Sequence, residues 1–205
     1  MDTFLLGLAA ATLLVHLASG IEFAIGNRSI RFLRDVAPPE GFAGPRVSVI
    51  IPARDEARKI AEALQSVLEQ DYVDLEIIAV DDRSTDGTGV ILDRMAQAHP
   101  GLKVIHLTEL PQGWLGKNHA LYLGTQHASG GLLLFTDADV VMAPSTISQA
   151  VSYMMGQHLD HLAVVPEIRM PGILLQVFIM GFAIFFGMYL DNVTLNESST
   201  APCWG

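Results

Sequence analysis

The sequence predicts an α/β fold with a mostly parallel sheet, preceded by one N-terminal transmembrane helix. Three observations predict it. Short apolar runs alternate regularly with helical patterns from Arg46 onward. The first runs are rich in β-branched residues. Ahead of them, Thr3 to Ile21 is a stretch of 19 residues whose one ionisable side chain is His16. Regular alternation of strand and helix implies parallel pairing, with helices covering both faces.

The N-terminal stretch would span ~28 Å as a helix, close to the hydrocarbon thickness of a bilayer. Asp2 precedes it, and Arg28, Arg31 and Arg34 follow. The positive-inside rule puts the arginines in the cytoplasm, with everything after them. A cleaved signal needs a basic leader, which Met1-Asp2 is not. Residues 1–26 are therefore read as a signal-anchor in the cell (inner) membrane. Residues 27–45, with Pro38-Pro39 and Gly44-Pro45, are read as a linker.

Residues 46–170 carry the alternating pattern. Strands are expected at Val47 to Ile51, Leu75 to Val80, Leu102 to Leu107 and Leu132 to Phe135, with a fifth at Leu162 to Val165. Helices are expected from Glu56 to Gln70, after Asp86-Gly87-Thr88, from Lys117 to Ala128, and from Pro144 to Gln157. In the first of these, Ile60, Leu64, Val67 and Leu68 share one face.

Composition narrows the partners. Half of the 205 residues are hydrophobic, which points to the lipid bilayer. The formal net charge of -10 disfavours nucleic acid. The single cysteine, Cys203, allows neither an intrachain disulfide nor a cysteine zinc site.

Ligands of open parallel sheets bind beyond the carboxyl ends of the strands. Acidic residues follow three of the expected strands: Arg54-Asp55-Glu56, then Asp81-Asp82, then Asp137-Ala138-Asp139. Each has a plain structural reading. Asp near a helix start complements the helix dipole, and Asp and Ser favour turns. Together, however, they crowd one rim with like charge, which a hard divalent cation and hydrogen-bond donors would relieve. The loop Gly113-Trp114-Leu115-Gly116-Lys117-Asn118 runs into a helix and suits an anion. It lacks the spacing of a P-loop. No dinucleotide-binding glycine motif follows a strand, and no nucleophile elbow occurs. His106, His119, His127, His158 and His161 show no zinc-ligand spacing and are read as ordinary surface or core residues.

The set Val47 to Glu56, Val80 to Thr88, Gly116-Lys117-Asn118-His119-Ala120 and Phe135 to Val140 resembles the family 2 glycosyltransferases, which are inverting enzymes with the nucleotide-diphospho-sugar transferase (GT-A) fold. The Gly113 to Lys117 loop, with the N-terminal anchor, is similar to the branch that glycosylates membrane lipids, including hopanoid-associated, carotenoid and ceramide enzymes. The resemblance implies a nucleotide-diphospho-sugar donor, favouring a UDP-sugar, and a membrane lipid acceptor. It implies donor binding by Pro52, Ala53, Arg54, Glu56, Asp81, Asp82, Lys117, Asp137 and Ala138. It further implies that Asp139 holds Mg2+ or Mn2+ against the diphosphate.

The family's general base and its Gln-x-x-Arg-Trp motif are not matched by Asp191, Glu197 or Trp204. No catalytic residue is therefore assigned, and the base is expected beyond residue 205. Residues 171–190 form a second charge-free run. Its length would suit a span, but a span would part the base from the donor, so it is read as interfacial. Residues 191–205 are read as an incomplete continuation of the catalytic domain. A processive polysaccharide synthase and a non-catalytic nucleotide-sugar-binding subunit are the alternatives.

Overall fold

The computed structural model describes residues 2–27, 32–167, 172–176, 178, 179, 181 and 182. Arg28, Arg31, most of 171–190 and all of 191–205 lie outside the described residues. The chain divides into two compact units, one of residues 33–166 and one of residues 1–32 with 167–205.

In the smaller unit, helix α1 runs from Asp2 to Asn27. Its stretch Thr3–Ile21 has a mean hydropathy of 2.0 and none of it is buried, so it is long and apolar enough to cross a membrane. Its polar side chains return to its own backbone. Thr12 Oγ1 donates to the Leu8 carbonyl at 2.9 Å, and His16 Nδ1 lies 2.7 Å from the Thr12 carbonyl. A carbonyl can only accept, so Nδ1 carries the proton.

The larger unit opens with a short 3-10 turn at Leu33–Asp35. Then follow β1 (Val47–Ala53), α2 (Ile60–Leu68), β2 (Leu75–Asp82), α3 (Thr88–Ala98), β3 (Leu102–Leu107), α4 (Gly116–Gln126), β4 (Leu132–Phe135) and α5 (Thr146–Gly156). The strands form one sheet in the order β3-β2-β1-β4, and every pairing is parallel. Val47 lies opposite both Leu75 and Leu132, so β1 is central.

Alternate residues of the central strands serve opposite faces, as the period of two requires. Val47, Val49, Ile51 and Ala53 of β1 join Ile77 and Ala79 of β2 in the larger core. There they pack with Ile60, Leu64 and Val67 of α2, Leu92 of α3, and Ile147 and Val151 of α5. Ile78 and Val80 face the other way, onto Ala120 of α4. α4 approaches closely because position 124 is glycine. A Cβ there would come within 2.5 Å of Ile50 Cγ2.

The structure moves some expected boundaries. α2 begins at Ile60 rather than Glu56: residues 57–59 form a turn ahead of it, and side chains beyond β2 hold the amides that precede it. Glu56 N–H donates to Thr88 Oγ1 and Ala57 N–H to Asp86 Oδ2. The fifth expected strand is absent: residues 162–165 join no ladder, and Val165 is 85% exposed. Apolar composition suggested burial there, but a strand exists only through pairing, and none of the described residues supplies it.

At the amino ends of the strands, Glu76 ties the sheet together. Its carboxylate is 2% exposed and accepts from Ser48 Oγ at 2.5 Å, Lys103 Nζ at 2.6 Å and Ser129 N–H at 2.7 Å. Burial pushes this carboxyl up, but the hydrogen bonds from Lys103, Ser48 and Ser129 outweigh it and bring it down to about 2. The depressed value means that Glu76 stabilises the fold fully above its ordinary value of 4.5. That contribution is lost as pH falls toward about 2. Glu76→Ala strands buried donors at ~1–3 kcal/mol each. Thermal unfolding followed by circular dichroism should show a clear loss of stability at neutral pH, and the difference from wild type should shrink as pH falls through that window.

Candidate nucleotide-sugar site

β1 has β2 on one side and β4 on the other: the chain adds β2 and β3 outward from β1 and then crosses back to β4, so the strand order reverses between β1 and β4. This is the crevice where open parallel sheets bind ligands. The expected site residues gather on this rim. Ala53 ends β1, Asp81 and Asp82 end β2 from within the strand, and residues 137–139 follow β4.

The exits of β1 and β2 are stitched to each other. Asp55, at φ 54°, accepts from Thr85 N–H at 2.7 Å and donates its own N–H to Ser84 Oγ at 3.1 Å. Asp86 accepts from Ala57 N–H at 3.0 Å and from Thr88 Oγ1 at 2.6 Å. The Thr88 bond, then the Ala57 bond, hold its carboxyl below the usual range. Asp55 and Asp86 therefore shape the loops.

Asp82 is 3% exposed and receives a two-point contact from Arg83, at 2.8 Å through Nε and 3.2 Å through Nη2. Arg54 approaches the same carboxylate at 3.9 Å. The first residue of α4 lies against this pair. A Cβ at Gly116 would collide with Asp82 Oδ2 and come within 3.1 Å of Arg83 Nη2. Asp81, 7% exposed, is bonded to His106 at 2.9 Å.

Residues 137–139 present two exposed carboxylates, each with its own lysine. Lys117, from the first turn of α4, donates to Asp137 Oδ1 at 2.5 Å. Lys59, just before α2, donates to Asp139 Oδ2 at 2.9 Å. That bond raises the Lys59 ammonium above its ordinary value. Ala53 and Ala138 are buried in the larger core, so they reach the rim through their main chain. Trp114 does not lie free on the loop. Its ring sits 5.3 Å from that of His119 and 5.1 Å from that of Tyr122.

Among the described residues, no three Asp, Glu, His or Cys side chains gather as a metal-ligand set. A magnesium-type ion commonly takes one or two carboxylates and completes its shell from phosphate and water. The exposed Asp139 carboxylate suits that mode, and an ammonium already stands where such a cation would bind. The residues fit a metal that arrives with a diphosphate.

Three partners escaped the reading of the sequence. Arg83 and Lys59 hold two of the named carboxylates. His106, expected to be ordinary, bridges Asp81 and Asp93 at 2.9 Å to each. Arg83 sits inside the Asp-Asp-Arg-Ser run, and its adjacency to Asp82 was a usable signal. Lys59 and Asp139 are 80 positions apart, and nothing local links them.

Known proteins with this fold and sequence agree in class. A 4,4'-diaponeurosporenoate glycosyltransferase of Staphylococcus haemolyticus is 33% identical over 161 residues, 75% of this chain and 41% of that protein. The protein of the same name from Staphylococcus aureus is 38% identical over 95 residues, 46% of this chain and 24% of that one. This chain thus spans well under half of the curated relatives' length. Among solved structures, the mannosyltransferase PcManGT from Pyrobaculum calidifontis, in complex with GDP-Man and Mn2+, superposes with a TM-score of 0.58 at 36% identity. The match covers 71% of this chain and 42% of that one. The family model described as Glycosyl transferase family 2 matches residues 48–175, and with the parallel sheet and its carboxyl-end rim this shows that the chain belongs to glycosyl transferase family 2.

Proposed function

We propose that this chain carries the donor-binding part of a glycosyltransferase that passes a sugar from a nucleotide-diphospho-sugar to a membrane lipid. The observation that carries the reading is the convergence on one rim of Asp82 with its arginines, Asp137 with Lys117, and Asp139 with Lys59. Two features support the lipid acceptor. One is the name of the staphylococcal relatives; the other is the apolar length of α1. The GDP-Man and Mn2+ of PcManGT support a nucleotide-sugar and a divalent ion. Both a UDP-sugar and GDP-mannose are therefore donors to test.

In this reading the β1 exit, from Pro52 to Glu56, and the Asp81-Asp82 end of β2 receive the nucleoside. Lys117, Asp137 and the Ala138 main chain border the diphosphate. Lys117 is exposed, and its pairing with Asp137 is worth ~0–1 kcal/mol, so it exchanges readily for a phosphate. Asp139 would hold Mg2+ or Mn2+, which when bound neutralises charge on the leaving diphosphate. Transfer is a direct displacement with inversion in which a base takes the acceptor proton, and none of the described residues is assigned that role.

The accompanying domain plan keeps 1–26 as anchor, 27–45 as linker and 46–170 as donor domain. The segments 171–190 and 191–205, read from the sequence as interfacial and as a continuation of the catalytic domain, lie mostly or wholly outside the described residues.

Calorimetry on the full chain in detergent tests the donor site. UDP-sugars or GDP-mannose should bind with Mg2+ or Mn2+, and Asp139→Asn should weaken this by roughly tenfold to a hundredfold, the scale of a lost charge-assisted contact. Asp160→Asn, at an exposed position away from the rim, should bind as wild type does. Equal, metal-independent affinity in all three proteins would refute the assignment.

Topology offers a separate check. The arginines after α1 put the rim in the cytoplasm, so a cytoplasmic-type reporter fused after Val165 should be active. Activity from a periplasmic-type reporter at that position would reverse the orientation.

A further inference from the structure

At the carboxyl ends of β2 and β3 a histidine stands between two carboxylates. His106 Nδ1 lies 2.9 Å from Asp81 Oδ2, and Nε2 lies 2.9 Å from Asp93 Oδ1. An ionised carboxylate offers acceptors alone, so both bonds exist together when both ring nitrogens carry protons. The arrangement is that of an imidazolium. Asp93, on α3, has a side chain 56% exposed, whereas that of Asp81 is 10% exposed.

The bridge continues inward. The second oxygen of Asp81 accepts Ser84 N–H at 3.2 Å, and Ser84 Oγ accepts Asp55 N–H at 3.1 Å. One hydrogen-bonded path thus runs Asp93–His106–Asp81–Ser84–Asp55, from α3 across the ends of β3 and β2 to the exit of β1. With one oxygen held by His106, Asp81 keeps the other turned to Ser84. That fixes the turn carrying Asp82 and Arg83.

We propose that His106, as an imidazolium, is a positioning residue for the donor site, and that loss of its proton weakens the binding of a nucleoside diphosphate there. This rests on the donor-site reading above. The ionisable groups that face the ring are Asp81 from β2 and Asp93 from α3. Gly89 of α3 also lies against both the ring and Asp81, since a Cβ there would come within 3.3 Å of His106 Cε1, and it brings no charge. Lys103, on the same strand, is engaged with Glu76. The bonds to Asp81 and then Asp93 raise His106 above its ordinary value of 6.5, against the effect of burial. The clamp is therefore complete below that value and is lost as pH rises through the raised one.

The test is UDP and GDP binding to the full chain in detergent, by calorimetry from about pH 6 to 9. The His106 titration is read in parallel by NMR of the labelled imidazole. Wild-type affinity should fall about three- to tenfold as His106 loses its proton, the scale of one hydrogen bond to a charged group. Asp93→Asn keeps an acceptor and removes the charge, so both the NMR titration and the fall in affinity should move together to lower pH. His106→Gln should bind weakly, with no inflection. Should His106→Gln fail to fold, Asp93→Asn carries the test alone, since its site is exposed. A purely structural role would lower thermal stability without moving the inflection. Tight binding that ignores pH, or an inflection unmoved in Asp93→Asn, overturns this inference alone. Failure of the wild type to bind either nucleotide at any pH overturns the donor-site reading with it.

Discussion

β1 pairs in parallel with β2 over seven residues and with β4 over four, so three strands point their carboxyl ends the same way. Everything on the rim depends on that central position. The chain leaves β1 on one side through α2, adds β2 and β3, and returns on the other side through α4 to β4. The exits of β1 and β2 therefore share a rim with residues 137–139, and Lys59 and Lys117 reach Asp139 and Asp137 there. Buried residues such as Val49, Ile50 and Ile51 secure the strand, and the acidic residues inherit their placement from it.

The acidic groups fall into two electrostatic classes. Glu76, Asp81 and Asp82 are nearly buried, and partners held by neighbouring elements satisfy them. Their interactions act in low dielectric, and removing a partner is costly. Asp137 and Asp139 are exposed, and each is matched by a lysine on a long, mobile stem. Such pairs contribute little to stability, so a ligand can replace them at small cost. The rim thus joins a fixed part, suited to shape recognition, to an exchangeable part, suited to a charged ligand. The opposite end of the sheet, where Glu76 sits, contains the fixed kind.

Much of this was legible in the sequence. Short apolar runs marked the four strands, and the helical spacing of Ile60, Leu64 and Val67 marked the buried face of α2, because both signals are local. The carboxylates could be placed on one rim because strand order is regular in alternating folds. Pairing partners were harder to see. Lys59 meets Asp139, and His106 meets both Asp81 and Asp93, through contacts made only once the sheet is assembled. The missing strand at 162–165 shows the same limit from the other side. Apolar composition reports a preference for burial, whereas a ladder needs a neighbour in register. The start of α2 shifted as well: residues 57–59 form a turn, and Thr88 and Asp86, some thirty positions away, hold the amides ahead of it.

Ala53 and Ala138 each have a methyl group in the core and a main chain at the rim. This ties the breadth of the crevice to packing volume. A larger residue at either position would not block a ligand directly. It would push the strand end outward, moving Arg54 or Asp139 with it. Attempts to retune which ligand this protein accepts should therefore treat these two alanines as wall thickness, adjusted together with the facing core residues, and leave the charges as they are.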